Sequence, residues 1–383
     1  MKVLVLTRSM GEGHNRAARA LGEAFQASGH ECVVTDALGV ARDGDPQKGE
    51  ASAGRRKLTD VASRLYGWSA LKAPYLFGAV YALGEAYTRT PVPSPIYIAN
   101  ARLAEATYTY IEEHEFDAVV VPHLFPQETL MAMRRHHSSR ARQYAVATDY
   151  TCIPFFSEAK VDGYFIPHPD LRDDYRRHGI PVGRTVVTGL PVSARFANPP
   201  SQAEARASLG LPAGNPVFLV MCGGVGSLRA GDICGRLLTA GDDDMRVVVL
   251  TGRSEELFLH IAGRFQADPR VTVVPFTDKV PDYMAAADVM ISKPGGVSST
   301  EAAVMGVPLV HTATIPGVES KNARFFDKRG MSIYAPGIAD AVDEAHRLMA
   351  DRPRQQRMRE IQHENTFPDS AQQIVQRVES MTG

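Results

Sequence analysis

Cysteine is scarce in this sequence. Among 383 residues there are four, Cys32, Cys152, Cys222 and Cys234, widely scattered and without a close CxxC pair. That spacing argues against a zinc site and against a disulfide framework, and it fits a reducing, cytoplasmic compartment. Charge of one sign is missing too. With 42 Lys and Arg against 43 Asp and Glu, the formal net charge is -1, so nucleic acid held through phosphate contacts is not an expected partner. No apolar run approaches the ~18 residues a spanning helix needs; contact with a membrane is expected only at its surface. The opening "MKVLVLTRSM" turns polar after a few apolar positions and reads as a buried strand, not as a signal sequence. Two phosphate-binding signatures are absent as well. There is no GxxxxGKS/T, and the first Gly-rich turn lacks the GxGxxG spacing, so P-loop chemistry and hydride transfer both lose support.

What is present alternates. "KVLVLT" is a short apolar run, "NRAARALGEAFQASG" has helical spacing and closes at Gly29, and "ECVVTD" is apolar again. Strand, helix, strand makes a βαβ unit, which implies a parallel sheet with helices on its faces. "DAVVVP", "QYAVAT" and "GYFIP" continue the first series. A second contains "PVFLVMCGG", "MRVVVLTG", "VTVVPF", "ADVMIS" and "PLVHTA". The break lies in "ARFANPPSQAEARASLG". The expected architecture is α/β: two Rossmann-like, doubly wound domains, 1–196 and 197–383, with ligands in the cleft between the C-terminal strand ends.

Gly-rich turns stand where such ligands need them. Gly11, Gly13 and His14 follow the first strand. Gly224, Gly226 and Ser227 follow the first strand of the second domain, and "KPGGVSS" supplies a third turn. Glycine lets backbone N–H groups approach a phosphate, and a helix N-terminus adds donors and favourable dipole. Each turn alone is equally well read as a plain βα connection. Two in one domain point to a nucleotide diphosphate. An acidic cluster at Asp242–Asp244 reads as an exposed connection and not as a metal-holding pair.

The segment "FTDKVPDYMAAADVMISKPGGVSSTEAAVMGVPLVHTATIPGVESKNARFFDKRG" resembles the donor-binding half of the GT-B glycosyltransferases that make monogalactosyl- and glucosyl-diacylglycerol, themselves distantly similar to the lipid II N-acetylglucosaminyltransferase. "GEGH", "PHLFPQETL", "ATDYT", "YFIPHPDLRDDYRRHGIP" and "VTGLPVSARF" extend the likeness over most of both domains. The resemblance implies a GT-B fold and a UDP-sugar substrate. It places uracil near Phe276 and Thr277 and the ribose hydroxyls on Glu301. The diphosphate falls among Gly13, Gly224, Gly226, Ser227, Gly295, Gly296, Val297, Ser298 and Ser299. Arg253, at a strand end, is a further donor-site candidate, with a solvated loop arginine as the alternative. Gly317 and Val318 are expected in the donor site, and Glu319 and Asn322 at the hexose or the nearby diphosphate. Relatives usually carry Gln where this chain has Val318, which removes an amide able to bond two hexose hydroxyls.

For the acceptor, displacement with inversion needs a base. His14, Asp36 and Asp149 stand at strand ends; the alternatives are a helix-start residue for His14 and a helix cap or turn for Asp36. Residues 55–98, an insertion spanning about 50–100, interleave Arg55, Arg56, Lys57, Trp68 and Phe77, which suits an anionic membrane surface or a packed hairpin with a solvated face. Relatives use this insertion for acceptor and membrane. A final helix after Pro368 is expected to cross back to the first domain. The expected activity is inverting transfer of glucose or galactose from a UDP-sugar to diacylglycerol, without metal or other cofactor, by a cytoplasmic protein resting on the cytosolic membrane face. The alternatives are a same-fold transferase for another lipid or a soluble natural product, and a UDP-sugar epimerase or non-catalytic binder.

Overall fold

A computed structural model describes residues 1–8, 12–43, 83–85, 87, 92–221, 229–314 and 316–383. They form two compact units. The first takes in described residues between Met1 and Ser193, with 316–318 and Asp369–Gly383; the second comprises Ala194–Thr314 and Glu319–Pro368.

The first unit is built on six parallel strands: β1 (Lys2–Thr7), β2 (Glu31–Asp36), β3 (Ala118–Val121), β4 (Arg142–Val146), β5 (Gly163–Ile166) and β6 (Thr185–Val187). Their order is β2-β1-β3-β4-β5-β6. β3 is buried along its whole length and reads AVVV, the continuous β-branched run of a strand covered on both faces. β2 is an edge strand and is only partly covered. The helix Glu12–Ala27 lays Ala17, Ala18, Leu21 and Phe25 on the sheet at helical spacing.

The last helix, Ser370–Thr382, belongs to this unit although it is latest in the chain. Its Ile374, Val375 and Val378 share one core cluster with Val3, Val5, Leu21, Phe25 and Tyr144. Polar ties fix its register: Ser370 Oγ donates to the Leu190 carbonyl at 2.5 Å, and His30 Nε2 meets Glu379 Oε1 at 2.6 Å.

The second unit repeats the plan with β7 (Val217–Met221), β8 (Arg246–Leu250), β9 (Val271–Val274), β10 (Val289–Ser292), β11 (Leu309–His311) and β12 (Ile333–Tyr334), ordered β12-β11-β10-β7-β8-β9 and parallel throughout. Asp242–Asp244 are exposed, ahead of β8. In each sheet the order reverses once, between β1 and β3 and between β7 and β10. A crevice at the carboxyl ends of such strands is where open α/β sheets bind ligands.

One buried ion pair ties the start of the second unit to its sheet. Asp288, just before β10, takes Arg206 Nη2 at 2.7 Å and the Val217 amide at 2.9 Å, and Arg206 Nε donates to the Ala286 carbonyl at 3.0 Å. Both side chains are under a tenth exposed. Removing one partner strands the other's charge in a dry site. Asp288→Ala is therefore expected to destabilise the second unit by about 3–5 kcal/mol, read from its denaturant unfolding transition.

Candidate functional site

In the first unit the strand-order reversal brings three segments to one place: the start of the helix Glu12–Ala27, the end of β3 and the end of β4. Thr7 Oγ1 donates to Asn15 Oδ1 at 3.1 Å and anchors the helix start to β1. His14, one residue earlier, lies 2.9 Å through Nδ1 from the Pro122 carbonyl and 3.0 Å from Thr148 Oγ1. A carbonyl only accepts, so this network assigns the proton to Nδ1 and leaves Nε2 with a free lone pair. Burial lowers the His14 pKa, against the opposing effect of the Pro122 hydrogen bond, so the neutral ring is favoured at pH 7. An aligned neutral imidazole with an open Nε2 is the form a general base requires.

His14 lines a small pocket together with His123, Ala147, Thr148, Asp149 and Tyr175. Its volume of about 10 Å³ accommodates roughly one water or hydroxyl group. Asp149 thus shares a pocket wall with His14. Asp36 does not line this pocket; its Oδ1 accepts the Leu38 amide at 2.8 Å at the start of the helix Ala37–Asp43, a capping role. His123 was given no role on sequence grounds. It is 6% exposed and its ring centroid lies 4.3 Å from that of His14. The signal that could have found it is its place directly after a buried strand and directly before a helix.

In the second unit the reversal falls at β7 and β10. β10 ends at Ser292, the chain turns through Lys293, Pro294 and Gly295, and the helix Gly296–Val304 begins. Gly295 is the N-cap and no side chain caps this helix. A side-chain cap contributes typically ~1 kcal/mol; doing without one leaves the first-turn N–H groups of Gly296, Val297 and Ser298 for an anion. A Cβ on Gly295 would stand 3.1 Å from Ser298 Oγ, so even alanine crowds this turn. Lys293 Nζ pairs with Glu319 Oε1 at 2.9 Å. Gly317, at φ 111°, takes a backbone conformation that side chains resist, and Val318 then opens the helix Val318–Arg329. Glu301 is 1% exposed. Arg253 lies over the Phe276 ring, 3.7 Å from its centroid, while Phe276 stays 43% exposed. Thr277 Oγ1 accepts the Lys279 amide at 3.1 Å.

Two expected ligand residues turn out to be internal. Ser299 is fully buried, its amide donates to the Gly295 carbonyl at 2.9 Å, and its hydroxyl meets His311 Nε2 at 2.9 Å. The other ring nitrogen of His311 lies 3.0 Å from Ser332 Oγ. Ser299 therefore pins the diphosphate-type turn from inside and does not offer its hydroxyl to a ligand. Asn322 is also fully buried, and its Nδ2 donates to the Pro294 carbonyl at 3.1 Å. That bond ties the Asn322 side chain to the turn. Gly224, Gly226 and Ser227 lie outside the described residues, as do Arg55, Arg56, Lys57, Trp68 and Phe77.

The fold itself leaves the chemistry open. Across 99% of both chains it superposes on Acinetobacter baumannii MurG with a TM-score of 0.62 and 14% identity. It also matches a Neisseria meningitidis UDP-GlcNAc 2-epimerase bound to UDP-GlcNAc, over 99% of this chain and 100% of that one, with a TM-score of 0.63 and 13% identity. The two sequence halves decide. Residues 57–192 match the monogalactosyldiacylglycerol (MGDG) synthase family, and residues 219–374 match the glycosyltransferase family 28 C-terminal domain. The chain is a glycosyltransferase of the GT-B type. A curated relative along almost its whole length is the processive diacylglycerol beta-glucosyltransferase of Bacillus pumilus, 24% identical over 380 residues, 98% of this chain and 94% of that protein.

Two outcomes test the internal role of Ser299 and His311 in this glycosyltransferase. Ser299→Ala leaves a buried ring nitrogen unsatisfied and is expected to cost about 1–3 kcal/mol of stability, with nucleotide-sugar affinity unchanged by calorimetry. Burial pushes the His311 pKa from its ordinary 6.5 down to about 3, so the unfolded chain binds this proton first. Stability from the neutral ring is complete above pH 6.5 and falls toward pH 3 by about 1.4 kcal/mol per pH unit. Unfolding measured between pH 6.5 and 5 should lose one proton of slope in His311→Asn.

Proposed function

We propose that this enzyme transfers a hexose, glucose or galactose, from a UDP-sugar to the hydroxyl of diacylglycerol with inversion at the anomeric carbon. The observation that carries the reading is His14: a neutral imidazole held in one tautomer through Nδ1, lining a small pocket in the unit that holds the MGDG synthase match. In the proposed reaction His14 Nε2 takes the acceptor's hydroxyl proton, and the freed oxygen bonds the anomeric carbon as the bond to UDP breaks. UDP departs with its electron pair. The charge growing on its diphosphate is met by the N–H groups of Gly296, Val297 and Ser298, in a turn pinned by Ser299 and Asn322. No metal or other cofactor is invoked, since oriented N–H groups and the helix dipole can do the work of a cation.

Glu301 is assigned to the ribose and Glu319, paired with Lys293 Nζ at 2.9 Å, to the hexose. The exposed Phe276 ring, backed by Arg253, offers an apolar face to the base. Asp149 supports the His14 pocket, and Asp36 is assigned to shaping the neighbouring turn. The acceptor side is supported by the named activity of the Bacillus relative and by the basic and aromatic composition of residues 55–98. No helix among the described residues is long and apolar enough to cross a membrane; the proposed setting is the cytosolic face, approached peripherally on anionic lipid.

The test is incubation with labelled UDP-sugars and liposomes containing diacylglycerol, followed by mass analysis of lipid and nucleotide products. A hexosyl-diacylglycerol is the expected product, and His14→Ala should lower its rate by about 10²–10⁴-fold. Release of an altered UDP-sugar with no glycolipid would replace transfer by epimerisation. Unchanged transfer by His14→Ala would remove the assigned base.

A further inference from the structure

In the first unit a fully buried carboxyl faces a second one. Glu128, on the helix Leu124–His136, has no exposed surface, and neither of its oxygens meets a hydrogen-bond donor. The group within hydrogen-bond reach of it is the carboxyl of Glu158. Glu158 accepts the Ser94 amide on Oε1 at 3.1 Å, and its Oε2 is buried without a donor. Two carboxylates offer only lone pairs, so their contact is a hydrogen bond when one carries a proton and a repulsion when neither does. Glu128 is the one that keeps the proton: burial foremost, then the Glu158 charge and the hydrogen bond to it, push its pKa from 4.5 up to about 9, against the pull of Arg135. Other charges nearby have partners of their own. Arg134 pairs with Asp162, and on the adjoining helix Ala104–Glu113 Glu105 meets His137 and Glu112 accepts Ser139.

The pair joins three pieces of chain. Ser94 is the N-cap of the helix Pro95–Asn100, which ends the insertion of about residues 50–100. Glu158 closes the segment Ile153–Glu158, whose Ile153 and Phe156 line the His14 pocket. Phe155 within it has φ 69°, the left-handed region that a bulky residue resists, and its ring stands edge-on to Tyr87 at 6.1 Å. Such a conformation persists where its surroundings over-determine it. Gln127 supplies one restraint, donating Nε2 to the Phe156 carbonyl at 2.5 Å. The next residue, Glu128, supplies another at Glu158, and Glu158 carries the connection to Ser94.

We propose that Glu128 is a positioning residue that donates its carboxyl O–H to Glu158, and that this shared proton fastens the pocket-lining segment and the end of the insertion to one helix. Its kinetic consequence rests on the reading of the first unit as the acceptor site; the proton itself does not. No proton passes from Glu128 to substrate.

Two substitutions separate donor from filler. Glu128→Gln replaces the O–H by an amide N–H that needs no titratable proton, and Glu128→Leu keeps bulk and neutrality while removing the donor. With the full chain on diacylglycerol liposomes at neutral pH, Glu128→Gln should keep the wild-type acceptor KM and Glu128→Leu should raise it about 10-fold, with the UDP-sugar KM level in both. As pH rises past about 9, where Glu128 ionises, the wild-type acceptor KM should climb while that of Glu128→Gln stays level. Equal acceptor kinetics for the Leu and Gln variants would overturn the positioning role.

The proton has two readouts that need no acceptor. Infrared difference spectra of wild type against either variant at neutral pH should show the carbonyl stretch of a protonated carboxyl; its absence overturns the proposal. Unfolded, Glu128 loses its proton above 4.5, and folded only near 9, so unfolding releases one proton in that window and stability falls as pH rises through it. The wild-type unfolding constant, taken relative to either variant, should grow about 10-fold per pH unit there and level off above; a ratio flat with pH overturns the proposal. If wild type glycosylates no diacylglycerol while both proton readouts come out as stated, the choice of lipid fails and the Glu128–Glu158 bond stands.

Discussion

A parallel strand can be joined to its neighbour only by a chain that crosses back over the sheet, and in both units every crossover starts from the same edge. That constraint governs everything else. It gathers the βα turns of each sheet at the carboxyl ends of its strands, and where strand order reverses it parts two of them. The His14 pocket stands at one reversal and the Lys293–Gly296 turn at the other. The chemistry of both sites is the chemistry of turns: backbone carbonyls that set a tautomer, and backbone amides left uncapped.

Within that frame the sites are stiffened from behind. Pro122, 108 residues from His14 in sequence, fixes the ring through its carbonyl. Asn322 holds Pro294, and the Ser299–His311–Ser332 chain holds the helix that follows. None of these contacts needs a ligand. Groups oriented beforehand do not have to be ordered when charge develops, which is the economy that electrostatic catalysis depends on. The polar core beside the turn is neutral: His311 is kept uncharged by burial, so it adds rigidity without competing with an anion.

Much of this could be read from residues alone, for physical reasons that also mark where reading stops. Continuous runs such as AVVV and RVVVL declare buried parallel strands, whereas β6, three residues, and β12, two residues, carry too little pattern to register. The glycines of the 295–296 turn are conspicuous because sterics demand them. Ser298 and Ser299 look equivalent in the sequence, yet neighbours on a helix point about 100° apart; one faces outward and the other closes on His311. His123 escaped because its surroundings depend on an amide two residues on and a ring 109 positions back.

The helix Ser370–Thr382 gives the molecule an unusual history. Val3 and Val5 leave a ribosome roughly 370 residues ahead of the Ile374, Val375 and Val378 that share their core cluster. At synthesis rates of about 5–20 residues per second, that cluster stays incomplete for tens of seconds, while the residues of the second unit emerge in one nearly unbroken stretch. The first unit is thus finished after the second. Until that helix emerges the nascent chain carries an unfinished apolar face, and chaperones that shelter such faces have a long opportunity at the first unit.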